Sequence, residues 1–260
     1  MRHPRATSSP AAELHSVASE APADARVALA RLQQLGDPAD ALFLQGYFRT
    51  GPGEYGEGDR FLGIRVPVLR RMVPQLDALP LAEMDGLLQS QWHEARLLAL
   101  LGLVRRYGRG GPAERRAVYT LYVERTRFIN NWDLVDLSAP RIVGAHLADR
   151  SRAPLHRLAM SKSVWERRIA ILATAYLIRR GEVTETLALA ERLRYDDHDL
   201  IHKAVGWMLR EAWQRDVGVA EYVAARCREL PRTMLRYAIE KQPEAVRQAY
   251  LKGEPPRAQA

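Results

Sequence analysis

The chain has 260 residues, 47% of them hydrophobic, and one cysteine, Cys227. That length supports a sizeable core, while a lone cysteine excludes a disulfide framework and any cysteine-based zinc or iron–sulfur site, which fits a reducing, cytoplasmic setting. Lys and Arg number 39 against 31 Asp and Glu, a net charge of +8, so a polyanion is the first partner to expect, and no run of about 18 apolar residues offers a membrane span.

Residues 1 to about 23 are rich in Ala, Pro and Ser, carry Arg2 and Arg5, and lack an apolar signal core, so they read as a disordered leader. From about Ala25 the apolar residues recur at helical spacing, and alternating strand-like runs are absent. The expected fold is therefore all-α, with residues 24–252 as one domain and 253–260, containing Pro255 and Pro256, as a loose tail.

Tyr47, in Leu44-Gln45-Gly46-Tyr47-Phe48-Arg49-Thr50, falls at a helix end where its hydroxyl can stay wet, and Phe48 is the better core candidate. The following stretch from Thr50 to Asp59 is too rich in glycine for a helix. It also lacks the Gly-Lys-Ser/Thr ending of a phosphate-binding P-loop, so it reads as a surface loop, with the next helix starting near Pro67.

A fixed-period comparison adds an internal repeat. Trp92-His93-Glu94-Ala95-Arg96-Leu97-Leu98 resembles Trp165-Glu166-Arg167-Arg168-Ile169-Ala170-Ile171, and both continue to a paired arginine, Arg105-Arg106 and Arg179-Arg180. The offset is about 73 residues, or two units of roughly 36, the length of a helix-pair repeat. A further unit holds Ile201-His202-Lys203-Ala204-Val205-Gly206-Trp207. Basic residues at corresponding positions, Arg96, Arg168 and Lys203, predict an α-solenoid of HEAT-like type with a basic concave groove. Trp92 and Trp165 read as core anchors, whereas Trp207 stands in a shifted register. His198 and His202 are four apart but have no glutamate partner, so no metal is expected.

The remaining unit holds Asn130-Asn131-Trp132-Asp133-Leu134-Val135-Asp136. Asn131 is a good N-cap, and Asp133 suits the positive first turn of the helix. Trp132 and Asp136 then share a face one turn apart. Pro140 offers no amide hydrogen to the Asp136 carbonyl, so the helix should bend there. The residues alone leave two readings: Trp132 as a core anchor with Asp136 paired to an arginine such as Arg168, or an indole and a carboxylate that together stabilise a cation.

Gly46-Tyr47-Phe48-Arg49-Thr50, Phe61-Leu62-Gly63-Ile64-Arg65-Val66-Pro67, Asn131-Trp132-Asp133-Leu134-Val135-Asp136, Trp165-Glu166-Arg167-Arg168 and Lys203-Ala204-Val205-Gly206-Trp207-Met208-Leu209-Arg210 occur in order. In these motifs the chain resembles the AlkD-type DNA alkylation repair proteins, DNA glycosylases built of HEAT-like repeats. The resemblance implies excision of purines alkylated at N3 or N7, with Trp132, Trp207 and Asp136 around the lesion deoxyribose, Arg168 on a phosphate and Tyr47 near the lesion. The glycine-rich insertion after Tyr47 departs from shorter members. Arg96 and Lys203 would add phosphate contacts, the partner would be double-stranded DNA carrying alkylated bases, and the protein would act as a monomer without cofactor. The alternatives are a non-catalytic binder of damaged or branched DNA and a protein-interaction solenoid.

Overall fold

Aspartate and proline start the first helices. Asp24 caps α1 (Ala25–Leu35) by accepting from the Val27 amide at 2.9 Å, and Asp37 caps α2 (Pro38–Tyr47), whose Pro38 sits where no amide donor is needed. The computed structural model describes residues 21–256, so the expected leader lies almost wholly outside the described residues, as do the last four residues. Every regular element among the described residues is helical, and the single extended pairing is an isolated bridge between Arg60 and Trp92. The fold is all-α, as the apolar spacing predicts. The chain divides into two compact units at the turn between Arg109 and Gly110.

The first unit continues through α3 (Val66–Met72), a 3-10 turn (Val73–Ala78), α4 (Leu81–Leu88) and α5 (His93–Arg109). In α5 every residue from His93 to Leu103 is buried, as expected of a helix apolar on all sides. Its three polar members therefore need internal partners. The Glu94 carboxylate accepts from the amides of Leu62, Gly63 and Ile64 at 2.9, 2.8 and 3.1 Å, pinning the chain just after the glycine-rich loop. Gly63 has φ +87°, and a Cβ there would lie 2.0 Å from the Asp37 carbonyl oxygen, so only glycine fits. His93 and Arg96 both bind Asp59, at 2.8 and 2.5 Å.

The second unit runs through α6 (Pro112–Glu124), a 3-10 turn (Thr126–Phe128), α7 (Trp132–Ala139), a π turn (Pro140–Gly144), α8 (Ala145–Leu147), α9 (Ala153–Ala159) and α10 (Val164–Arg179). It continues with α11 (Thr184–Leu193), α12 (Asp199–Trp213), α13 (Gly218–Arg226), α14 (Arg232–Ala238) and α15 (Glu244–Lys252). The central element is α10, which packs against α7, the π turn, α9, α11 and α12. Ile169, Ile171 and Leu172 of α10 are at most 1% exposed, each burial contributing about 1.5–3 kcal/mol. Cys227 is buried, a packing residue.

The bend expected at Pro140 takes the form of the π turn, in which the helix widens for one turn and resumes as α8. Its last residue is Gly144, where a Cβ would lie 2.1 Å from the Ala173 carbonyl oxygen of α10, so the two segments approach too closely for any other residue. Beneath α7, Tyr122 of α6 meets Ser138 Oγ at 2.9 Å, both fully buried.

Candidate active site in the second unit

Asn131 is fully buried, and its side-chain oxygen accepts from the Trp132 amide at 2.8 Å to start α7. Asp133 is turned inward and accepts from the Leu134 amide at 2.8 Å. Trp132 and Asp136 follow on one face, each partly exposed. The aspartate that stays open to the surface is thus the deeper of the two, because the first is occupied by its own helix.

Arg168 of α10 is 5% exposed and binds Asp136 with two parallel bonds, Nε to Oδ1 at 2.8 Å and Nη2 to Oδ2 at 2.7 Å. Its third nitrogen, Nη1, donates to the Leu200 carbonyl in the first turn of α12 at 2.7 Å. One guanidinium therefore joins α7, α10 and α12. The neighbouring Arg167 binds Asp196 and donates to the carbonyls of Ser161 and Lys162 at 2.9 and 3.0 Å, fixing the turns that precede α10 and α12. Helical spacing places Lys203 and Trp207 one and two turns beyond Leu200 on the same face of α12. Trp207 is partly exposed and donates from Nε1 to Glu211 at 3.1 Å, and Lys203 pairs with Asp199 at 2.8 Å.

Burial pushes the Asp136 carboxyl above the usual carboxylate range; the charge and hydrogen bonds of Arg168 oppose that rise, and the Asp133 charge adds to it. The result is a carboxylate held in place with reduced solvation. Each of its oxygens keeps further lone-pair capacity beside the single bond it accepts from Arg168.

Two expected contacts differ in the structure. Arg96 is 4% exposed, with Nη2 on Asp59 at 2.5 Å and Nη1 on the Ser90 carbonyl at 3.0 Å. It braces the interior of the first unit rather than presenting an exposed cation, because α5 is buried on all sides there and a charge needs an internal counter-charge. Arg168, expected on a phosphate, has all three nitrogens engaged inside the second unit. Of the predicted basic row, Lys203 alone is partly exposed.

Tyr47 belongs to the first unit, where it is 56% exposed at the end of α2, edge-on to buried Phe48 with ring centroids 5.1 Å apart. Trp165 is in the core, whereas Trp92 is partly exposed and lines an open cleft of about 460 Å³ with Phe61 and Leu62. His198 Nδ1 accepts from the Leu200 amide at 3.1 Å, and His202 Nε2 meets the Asp196 carbonyl, so both serve the turn before α12. The periodic reading missed Asp59, Glu94 and the Leu200 carbonyl. For Glu94 a signal existed: a carboxylate in the middle of an apolar helical run must bind something inside.

The second unit is an all-α scaffold of packed helices that holds an arginine-paired carboxylate one turn from a tryptophan. Residues 28–242 match the family model described as DNA alkylation repair enzyme, and the chain belongs to that family. A solved structure described as a predicted DNA alkylation repair enzyme from Enterococcus faecalis shares the fold, with a TM-score of 0.63 at 18% identity over 80% of this chain and 97% of that one. No curated protein matches the chain significantly.

Proposed function

We propose that the protein is a monofunctional DNA glycosylase that hydrolyses the N-glycosidic bond of purines alkylated at N3 or N7 in duplex DNA and leaves an abasic site. The observation that carries this reading is the Asp136 carboxylate, partly exposed, oriented by Arg168 and one turn from the Trp132 indole. Alkylation makes the purine cationic, so the electron pair of the C1′–N bond leaves with a base that becomes neutral. The sugar acquires oxocarbenium character, and water adds to C1′ with loss of a proton. Asp136 stabilises that cation and orients the water; Trp132 and Trp207 present ring faces to the deoxyribose. No lysine in these motifs is placed as a nucleophile, so lyase chemistry through a Schiff base is not expected.

DNA contact is assigned to Lys203 and Tyr47, and the chain works as a monomer on nucleoid DNA in the cytoplasm. Among the described residues no helix is long and apolar enough to cross a membrane. One observation favours a second reading: both Asp136 oxygens already bind Arg168, as in a purely structural pair. The protein would then bind damaged or branched DNA without releasing a base.

The deciding experiment measures release of 7-methylguanine and 3-methyladenine from methylated duplex by the wild type and by Asp136→Asn. The glycosylase reading expects release that falls by about 10²–10³-fold in the variant, with DNA affinity retained. Absence of release by the wild type, with tight salt-dependent binding, would establish the second reading.

A further inference from the structure

In the second unit several of the arginines that brace helices are matched by carboxylates: Arg152 by Glu182, Arg167 by Asp196, Arg180 by Asp149 and Arg226 by Glu191. One face departs from that pattern. The Tyr119 ring of α6 lies flat on the His146 ring of α8, with centroids 4.0 Å apart and planes 8° apart. Arg116 lies one turn before Tyr119 on the same face of α6. Arg150, one turn beyond His146, donates from Nη1 to the His146 carbonyl at 2.6 Å, which holds its guanidinium beside the stack. Arg157, at the end of α9, is close enough to act electrostatically on Tyr119.

All three arginines are exposed, Tyr119 is partly exposed, and His146 is 7% exposed. The acid next in sequence, Asp149, is engaged by Arg180 through two bonds, at 2.9 and 3.1 Å. Burial holds the His146 imidazolium below its ordinary range, and the charges that act with it, Arg150 and Arg116, are both positive. Like charges gathered on one part of the surface repel one another, a cost that a bound anion would relieve.

We propose that Arg116, Arg150, Arg157 and the Tyr119 hydroxyl form an oxyanion site for a phosphate group of a nucleic-acid backbone. Guanidinium groups match phosphate oxygens with paired donors and stay charged at every working pH. The stack fixes the phenol, so its hydroxyl donates without further ordering. His146 follows Asp136 by ten residues of nearly continuous helix, roughly 15 Å at the α-helical rise, so the phosphate is not the one at the reacting sugar. The choice of nucleic acid as the source rests on the proposed reading that this chain binds duplex DNA.

The test uses the full chain and unmodified duplex, so that it does not depend on base release. The double variant Arg116→Ala/Arg157→Ala changes only exposed side chains, and Lys252→Ala, on the exposed end of α15, is the control. The slope of log K against log salt between about 50 and 200 mM should fall by about 0.9, one phosphate, in the double variant and not in the control. Tyr119→Phe, which keeps the stack, should weaken binding without changing the slope. A wild-type slope in the double variant, with no response to inorganic phosphate, overturns the site. If inorganic phosphate alone perturbs the His146 imidazole signals while the DNA slope is unchanged, the site takes a free anion and the nucleic-acid assignment is overturned. Failure of the wild type to release methylated bases would remove the glycosylase reading and leave a reduced slope standing as support for the site.

Discussion

Arg168 holds Asp136 through both carboxylate oxygens, at 2.8 and 2.7 Å, and holds the Leu200 carbonyl with its remaining nitrogen at 2.7 Å. A guanidinium so engaged and 5% exposed fixes the carboxylate in place and presents little of itself to solvent.

On the proposed glycosylase reading, the pH dependence of base release reports this relationship. Burial raises the Asp136 carboxyl and Arg168 opposes it, so the acidic limb of the single-turnover rate lies above the ordinary carboxylate range. Arg168→Met should move that limb to higher pH, and Arg168→Lys, which keeps a charge, should move it less. Binding of unmodified duplex should hardly change in Arg168→Lys. A lost affinity and a shallower salt slope, with the limb unmoved, would instead identify Arg168 as a phosphate contact. Arg168→Met also leaves a poorly solvated carboxylate without its counter-charge, at a cost of up to about 3–5 kcal/mol in denaturant unfolding. For stability the sign is opposite to that of activity: a raised carboxyl binds its proton more tightly when folded, so its contribution is greatest at acid pH and declines as pH rises to the folded value.

Asp59 behaves the other way. Burial pushes it up, but the His93 and Arg96 partners outweigh burial and hold it below the usual carboxylate range. Its unfolded form therefore binds protons more readily, and the stabilisation it gives is complete above its ordinary value of 3.8 and lost as pH falls through the folded value. Acid unfolding followed by circular dichroism should show a weaker pH dependence below about pH 4 in Asp59→Asn, together with a lower stability at neutral pH.

Gly144 and Gly206 permit close helix packing. A Cβ at Gly144 would lie 2.1 Å from the Ala173 carbonyl oxygen, and one at Gly206 would lie 2.4 Å from that of Met234. Each substitution by alanine should lower stability by about 1–3 kcal/mol in thermal unfolding, since backbone must move. Gly108→Ala is the contrasting case. It lies within α5 with nothing inside 4 Å of its added Cβ, and should raise stability by about 0.5–1 kcal/mol.

The helical class, the cap at Asn131 and the shared face of Trp132 and Asp136 were all legible in the residues, because each depends on neighbours within one or two turns. The facing of the arginines was not. Periodicity places Arg96, Arg168 and Lys203 at equivalent positions, yet two are buried and one is partly exposed. What decides is an aspartate about one repeat away, Asp59 for Arg96 and Asp136 for Arg168, and helical spacing carries no information about a partner at that distance. The grip of Glu94 on residues 62–64 was hidden for the same reason.

The π turn at Pro140–Gly144 has a consequence for chain length. A π turn holds one residue more than an α turn, so the side chains beyond it are rotated by about 100° from where an unbroken helix would aim them. Proline and extra residue belong together: shortening the turn while keeping Pro140 would drive its ring into the Asp136 carbonyl, whereas deleting Pro140 itself removes both the surplus residue and the clash. A sequence one residue shorter at this point, and without the proline, can therefore keep Trp132 and Asp136 on an ordinary helix. Any other single deletion in α7 or α10 would throw the core out of phase.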